Sequence, residues 1–318
     1  MQFYFAPMEG ITTCHFRRLH ARMFPGKQRY CAPFLAPDGS GKCRRNSLRD
    51  LLPENNPDAL PIPQILCNRP EPFLTLARQL EALGYEEVDL NAGCPSATVV
   101  PKHKGAGMLL DLRSLDDFLA EVFSRCPLRI SVKTRLGLES PAEFPAILEI
   151  YNKYPLRQLT IHARDRAGMY KSPPDHAAFA AAFQKSVNPV CYNGNVVDPA
   201  SLAAIRTLTP QLDRVMLGRG AVANPALFRE LGGGAPLEAK ELRDFLDRLL
   251  DAFLSAGLPE RFALARLKEL WYYLIHMFPE SPRGAKAINK SQTLDDYRAA
   301  VDALFREGRF SASSAFRG

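Results

Sequence analysis

A short apolar run ends at Val88-Asp89-Leu90-Asn91-Ala92-Gly93-Cys94-Pro95-Ser96, with a thiol at the tip of a turn. Gly93 and Pro95 bracket Cys94, so the backbone must bend sharply there. Taken alone, the segment leaves two uses for Cys94 open: a small buried hydrophobe, or a thiol placed to give up or accept a proton. Other strand-like runs carry polar residues at their ends as well. Ile130-Ser131-Val132-Lys133-Thr134-Arg135 puts Lys133 and Arg135 on one face and Ile130 and Val132 on the other, because side chains alternate along a strand. The run through Thr160, His162 and Arg164 repeats the device against Leu159 and Ile161. Gln64 interrupts the apolar Ile62-Pro63-Gln64-Ile65, and the first run finishes Ala6-Pro7-Met8-Glu9-Gly10. A single inward lysine or histidine is more often a structural group; several strands sharing the pattern point to a site.

Two further runs end in glycine-containing loops, Asn193-Gly194-Asn195 and Gly218-Arg219-Gly220. Glycine lets backbone N–H groups approach an anion closely, and Arg219 can make a bidentate contact with a phosphate. A phosphate site, an inward lysine, a glutamine amide and a thiol around one opening suit a phosphorylated planar cofactor, and flavin mononucleotide (FMN) fits. Lys133 and Gln64 would then reach the polar edge of its ring system.

Positioning such residues requires a regular frame. Strands are predicted near Phe3–Pro7, Tyr30–Leu35, Pro63–Leu66, Val88–Leu90, Arg129–Lys133, Gln158–His162, Val190–Asn193 and Arg214–Leu217. Helical patterns fall between them, at Pro72–Leu83, Leu115–Ser124, Ala142–Tyr151 and Pro199–Arg206. Strands alternating with helices imply βαβ units. Some eight of them fit a (β/α)8 TIM barrel, whose functional groups gather at the C-terminal ends of the strands and whose last two loops commonly hold phosphate. The barrel is expected over residues 1–231, and Gly232-Gly233-Gly234-Ala235-Pro236 reads as a linker. Residues 237–310 read as a small all-α domain. Leu242, Phe245, Leu246, Leu249, Leu250 and Phe253 recur at helical spacing, as do Phe262, Leu264, Leu267, Leu270, Leu274 and Met277. A further helix is expected from Thr293 to Phe305, and a frayed tail over 311–318.

The 318 residues are 46% hydrophobic, enough for a full core, which excludes a disordered chain. No apolar run approaches the roughly 20 residues that span a bilayer, and the first residues lack the pattern of a signal peptide. Seven cysteines without a Cys-x-x-Cys pair argue against a disulfide framework and against a zinc site, so a cytoplasmic protein without metal is expected. The net charge of +7 favours an anionic partner. Lys27, Arg29, Lys42, Arg44, Arg45 and Arg49 crowd one early segment, and Arg283, Lys286 and Lys290 form a second basic run. Either cluster alone could be a solvated loop; with a nucleic-acid partner they become candidate phosphate contacts.

Seven motifs in order resemble the tRNA-dihydrouridine synthase family: Ala6-Pro7-Met8-Glu9-Gly10, Asp89 to Ser96, Gly105-Ala106-Gly107-Met108-Leu109-Leu110, Val132-Lys133-Thr134-Arg135-Leu136-Gly137, Ile161-His162-Ala163-Arg164, Asn193-Gly194-Asn195 and Gly218-Arg219-Gly220. They cover residues 6 to about 225. The resemblance implies an FMN enzyme that reduces the C5–C6 double bond of particular uridines in tRNA with NADPH as reductant, and acts as a monomer. It implies that Cys94 is the proton donor to uracil C5. It also implies that Pro7, Met8, Glu9, Gln64, Lys133, His162, Asn193, Gly194, Asn195, Gly218 and Arg219 contact FMN, and that Asn91, Arg135 and Arg164 hold the uracil. The chain departs from the family pattern twice. Asn195 stands where an acid is frequent, and His162-Ala163-Arg164-Asp165 stands where His-Gly-Arg-Thr is frequent. Two other readings are an FMN barrel reductase for a free pyrimidine and a non-catalytic RNA-binding module.

Overall fold

The computed structural model describes residues 1–58, 60–313 and 316, the side chain of Asn46 excepted. Eight parallel strands form the frame: β1 (Gln2–Phe5), β2 (Arg29–Tyr30), β3 (Gln64–Ile65), β4 (Glu87–Ala92), β5 (Arg129–Arg135), β6 (Leu159–His162), β7 (Val190–Asn193) and β8 (Arg214–Leu217). They run in the order β2-β1-β8-β7-β6-β5-β4-β3. The ring closes through the bridges Cys31 to Ile62 and Leu35 to Ile65, which join the chain after β2 to the β3 segment. This is the expected barrel. The predicted strands at Tyr30–Leu35 and Pro63–Leu66 shrink to two residues each, because prolines at 33, 61 and 63 cannot donate to a ladder.

Outward-facing Val88, Leu90, Ile130, Val132, Leu159, Ile161, Val215 and Leu217 are buried against the surrounding helices. These are α1 (Cys14–Met23), α2 (Arg45–Arg49), α3 (Pro70–Ala82), α4 (Leu112–Arg125), α5 (Phe144–Tyr151), α6 (His176–Lys185), α7 (Pro199–Leu208), α8 (Arg219–Ala223) and α9 (Leu227–Leu231). Tyr4, Ala6, Cys31, Ile62, Cys191 and Met216 form a separate cluster inside the barrel. Polar inward groups sit above it, so alternation along each strand separates the packing from the chemistry.

The linker residues are clamped: Arg229 donates to the carbonyls of Ala235 and Pro236 and pairs with Glu241. Beyond them lie α10 (Ala239–Ser255), α11 (Glu260–Leu274), α12 (Pro282–Lys290) and α13 (Leu294–Glu307). The apolar stripe of α10 is buried as expected. On α11 the buried face is Ala263, Leu264, Leu267, Leu270, Trp271 and Leu274. Phe262, counted in that repeat from the sequence, is instead 49% exposed beneath Arg261; residues 262 and 264 are two apart and cannot share a narrow helix face. α10 enters the barrel's own aromatic cluster. Phe245 meets Phe16 and Phe24 at ring separations of 5.5 Å, and Phe5 meets Phe16 and Phe228 at 5.5 Å. His20 is fully buried among them, with Nδ1 2.7 Å from Tyr30 Oη and Nε2 2.8 Å from Pro225 O. The carbonyl can only accept, so Nε2 carries the proton and Nδ1 accepts from the tyrosine. Within the expected frayed tail, Phe316 is buried against Tyr272, Tyr273 and His276; residues 314, 315, 317 and 318 lie outside the described residues.

Candidate active site

A cavity enclosing about 560 Å³ free of protein atoms opens at the C-terminal end of the barrel. Nine of the eleven residues expected at the cofactor line it: Pro7, Met8, Lys133, His162, Asn193, Gly194, Asn195, Gly218 and Arg219. Glu9 lines a neighbouring cleft against Arg266 and Tyr273 of α11. Gln64 lies deeper, buried in a hydrogen bond to Asp89.

The two glycine loops differ in what they require. A Cβ on Gly194 would lie 2.9 Å from Cε1 of Tyr192 and closer still to its hydroxyl, so only glycine keeps this wall open. Arg219 donates to Asn195 Oδ1 at 2.9 Å and lies over the Tyr170 and Phe316 rings at 4.6 and 5.4 Å. The two loops are thus tied by a neutral amide where the family frequently has an acid, and Arg219 has no acidic partner among the described residues. Lys133 makes no hydrogen bond or ion pair to protein among the described residues, and burial followed by the Arg135 charge lowers its pKa to about 8.

Burial, then the positive charges of Lys133, Arg135, Arg164 and Arg219, hold His162 far below the ordinary imidazole range. Its Nε2 is 3.1 Å from Arg164 Nη1. A guanidinium only donates, so Nε2 accepts and the proton sits on Nδ1.

Cys94 follows β4 and is partly buried. Its loop is held on several sides. Gly93 N and Cys94 N donate to Asn91 Oδ1 at 3.1 and 2.9 Å, and Ala106 N donates to Cys94 O at 3.0 Å. A Cβ on Gly105 would lie 2.8 Å from Cys94 O, which accounts for glycine in the third motif. Burial pushes the thiol pKa up, against the lowering backbone N–H of Ser96; Glu9 adds to the rise, while Arg135 and Lys133 oppose it. The thiol is therefore protonated at neutral pH.

The three residues expected to hold uracil have hydrogen bonds within the protein. Asn91 caps the thiol loop. Arg135, 1% exposed, donates to Gly93 O, Asp165 O and Met169 O at 2.9, 2.8 and 3.0 Å. Arg164 donates to Ser172 O at 2.6 Å. They bind the walls of the mouth together. Asp165, the second family departure, caps the turn at Gly168 N.

The basic run splits by location. Arg29 pairs with Glu87 at the N-terminal ends of β2 and β4, across the barrel from Cys94, so the phosphate contact expected of it does not hold. Lys42, Arg44, Arg45 and Arg49 follow β2 on the same side as the mouth and are exposed. Arg283, Lys286 and Lys290 are exposed along one face of α12, away from the cavity. Reading the sequence missed the aromatic rim of Tyr170, Tyr272 and Tyr273, which with Arg164, Lys171 and Arg219 borders a wider outer compartment. Two adjacent tyrosines at the end of a helix were its only signal.

Compared with protein families, residues 4–247 match dihydrouridine synthase (Dus). The chain belongs to the dihydrouridine synthase family. It is thus an oxidoreductase. The family's relatives include tRNA-dihydrouridine synthase B of Pseudomonas putida, 28% identical over 96% of this chain and 92% of the relative. A tRNA-dihydrouridine(16) synthase of Neisseria meningitidis serogroup B is 33% identical over 61% of each. Among solved structures, histamine dehydrogenase from Rhizobium sp. 4-9 superposes with a TM-score of 0.55 at 8% identity. The superposition covers 80% of this chain but only 48% of that one, and it speaks for the fold alone. Among the described residues no helix is long and apolar enough to cross a membrane, and no cluster of three His, Cys, Asp or Glu side chains is placed to hold a metal ion.

Proposed function

We propose that this protein reduces the C5–C6 double bond of uridines in tRNA, using FMN and NADPH, with Cys94 as the acid. The observation that carries the reading is a thiol on a braced loop just past the C-terminal end of β4, the same end of the barrel at which two glycine loops, Arg219 and Lys133 line a cavity.

The residues present suit FMN. Gly194 keeps a wall open that any side chain would close, and among the described residues Arg219 has no acidic partner and the Lys133 ammonium no protein partner. Arg219 and the Gly194 and Gly218 backbone would take the phosphate, and Lys133 and the Nδ1–H of His162 the polar edge of the ring. When bound, the flavin supplies hydride to uracil C6. The protein supplies the rest. Charge builds on C5 and O4, and the Cys94 Sγ–H proton passes to C5, after which the thiolate takes a proton from solvent. Arg135 and Arg164 keep the mouth in shape, and the apolar cluster of Tyr4, Ala6, Cys31, Ile62, Cys191 and Met216 inside the barrel excludes water from below. NADPH restores the two electrons.

A stacked uracil cannot reach such a cavity, so it must leave the RNA stack to enter. Lys42, Arg44, Arg45 and Arg49 on the barrel would take backbone phosphates near the mouth, and Arg283, Lys286 and Lys290 on α12 phosphates farther along the RNA. The domain after the linker is then an RNA-gripping domain.

The test uses FMN-loaded protein, NADPH and unmodified tRNA. Cys94→Ala should keep bound flavin and NADPH oxidation but lose dihydrouridine formation by about 10²–10⁴-fold. Wild-type turnover in that variant would refute the acid role. Turnover of free uridine or dihydroorotate without turnover of tRNA would refute the substrate.

A further inference from the structure

Below the mouth, one line of hydrogen bonds runs through three strands to the thiol loop. Gln64, Asp89 and Ser131 lie side by side in register on β3, β4 and β5, and all are buried, at 1%, 3% and 4% exposure. Ser131 Oγ donates to Asp89 Oδ1 at 2.7 Å, and Gln64 Nε2 donates to Asp89 Oδ2 at 2.6 Å. Gln64 Oε1 accepts from Asn91 Nδ2 at 2.8 Å. Asn91 Oδ1 in turn accepts the N–H groups of Gly93 and Cys94.

We infer that Asp89 is a positioning residue that fixes, through Gln64 and Asn91, the loop holding Cys94. A carboxylate accepts and never donates, so it dictates which end of the Gln64 amide faces it. That choice presents Oε1 to Asn91, which must then offer its NH₂ downward and its oxygen upward to the loop. Reversing either amide would set donor against donor at a buried site, where nothing else can satisfy them. Without Asp89 the Gln64 amide has no preferred sense, and the orientation of Asn91 rests on the loop it should anchor. An ångström of drift in the acid is enough to slow proton transfer severely. The inference rests on Cys94 being the acid, and it gives Gln64, which lies below the cavity and not on its lining, a place in the wiring of the loop.

The chain predicts different outcomes for two substitutions at one position. Asp89→Asn can still present Oδ1 to Gln64 while its NH₂ donates to Ser131 Oγ, a hydroxyl able to accept. Asp89→Leu removes the acceptor at nearly equal volume. In the FMN-loaded full-length protein, hydrogen exchange of the Gly93 and Cys94 amides should rise about tenfold or more in Asp89→Leu and stay within about twofold in Asp89→Asn. Alkylation of Cys94 by iodoacetamide at fixed pH should change in the same order. With protein reduced beforehand by dithionite, Asp89→Leu should form dihydrouridine about 10–100-fold more slowly with the KM for tRNA within about threefold. Wild-type exchange and alkylation in Asp89→Leu would overturn the inference. So would equal damage in both variants, since the carboxylate charge, and not the bond polarity, would then be what matters. If leucine at 89 prevents folding, Gln64→Leu cuts the chain one link later and carries the same comparison. Should wild-type protein make no dihydrouridine at all, the functional reading fails, while exchange and alkylation still decide the chain.

Discussion

Replacing Gly194 by alanine should damage stability and flavin binding together. The added methyl would sit 2.9 Å from Cε1 of Tyr192 and nearer its hydroxyl, so the ring must move. That ring is 1% exposed, packs edge-on against Phe179 at 4.8 Å and bonds His176 Nε2 at 3.0 Å. Overpacking of this kind costs about 1–3 kcal/mol, and the lost hydrogen bond adds about 1 kcal/mol. A total of about 2–4 kcal/mol corresponds to a fall in Tm of roughly 3–6 °C for a chain of this size. Because the displaced wall borders the phosphate loop, the FMN Kd should rise about tenfold or more, which is about 1.4 kcal/mol. Thermal melting and a flavin fluorescence titration read both. Tyr192→Phe provides the control. Alone it should cost about 1 kcal/mol, but added to Gly194→Ala it should cost less, since the bond is already broken. Unchanged Tm and Kd in Gly194→Ala, or strict additivity with Tyr192→Phe, would refute the steric account.

Other outcomes follow from groups described above. In pre-reduced protein the loss of dihydrouridine formation that belongs to Cys94 should come only above about pH 9, because burial raises the Cys94 pKa and an acid is lost as it deprotonates, whereas loss of the Lys133 charge falls near pH 8; a fall beginning below neutrality would contradict this. Burial lowers His20 to about 4 from its ordinary 6.5. Between those values the unfolded chain takes up a proton that the folded one refuses, so stability falls as pH drops from 6.5 toward 4, by about 3 kcal/mol. Urea titrations of wild type and His20→Gln should therefore diverge in slope over that window, and parallel slopes would refute it. Tyr272 is 65% exposed at the rim, so Tyr272→Ala should leave Tm unchanged yet raise the KM for tRNA about 5–100-fold, as loss of one stacked base at about 1–3 kcal/mol implies. A KM within twofold of wild type would remove the rim from RNA contact.

Much of the frame was legible because its signals are local. Val190–Asn193 and Arg214–Leu217 are apolar runs with turn residues behind them, and both strands fall where the pattern puts them. The gathering of Lys133, His162 and the two glycine loops around one cavity follows from alternation plus barrel closure. What stayed hidden is long-range. Nothing near Arg135 in sequence announces that its donors go to carbonyls at 93, 165 and 169, and Arg29 finds Glu87 from 58 positions away. Asp89 stood within a quoted motif, yet its role depends on neighbours in β3 and β5 that only register supplies.

The aromatic cluster that Phe245 shares with Phe5, Phe16, Phe24 and His20 bears on how such a protein changes its target. The helical domain contributes to the core packed between the barrel's strands and α1, so it is neither a swivelling arm nor a detachable module. On the proposed function, the direction from which RNA would meet the cavity is set when the chain folds. Cutting at the triple glycine would expose an aromatic face, not release a free barrel. Selecting a different uridine would then be achieved by redrawing the exposed charges and rim tyrosines while the angle between the two parts stays as the core fixed it.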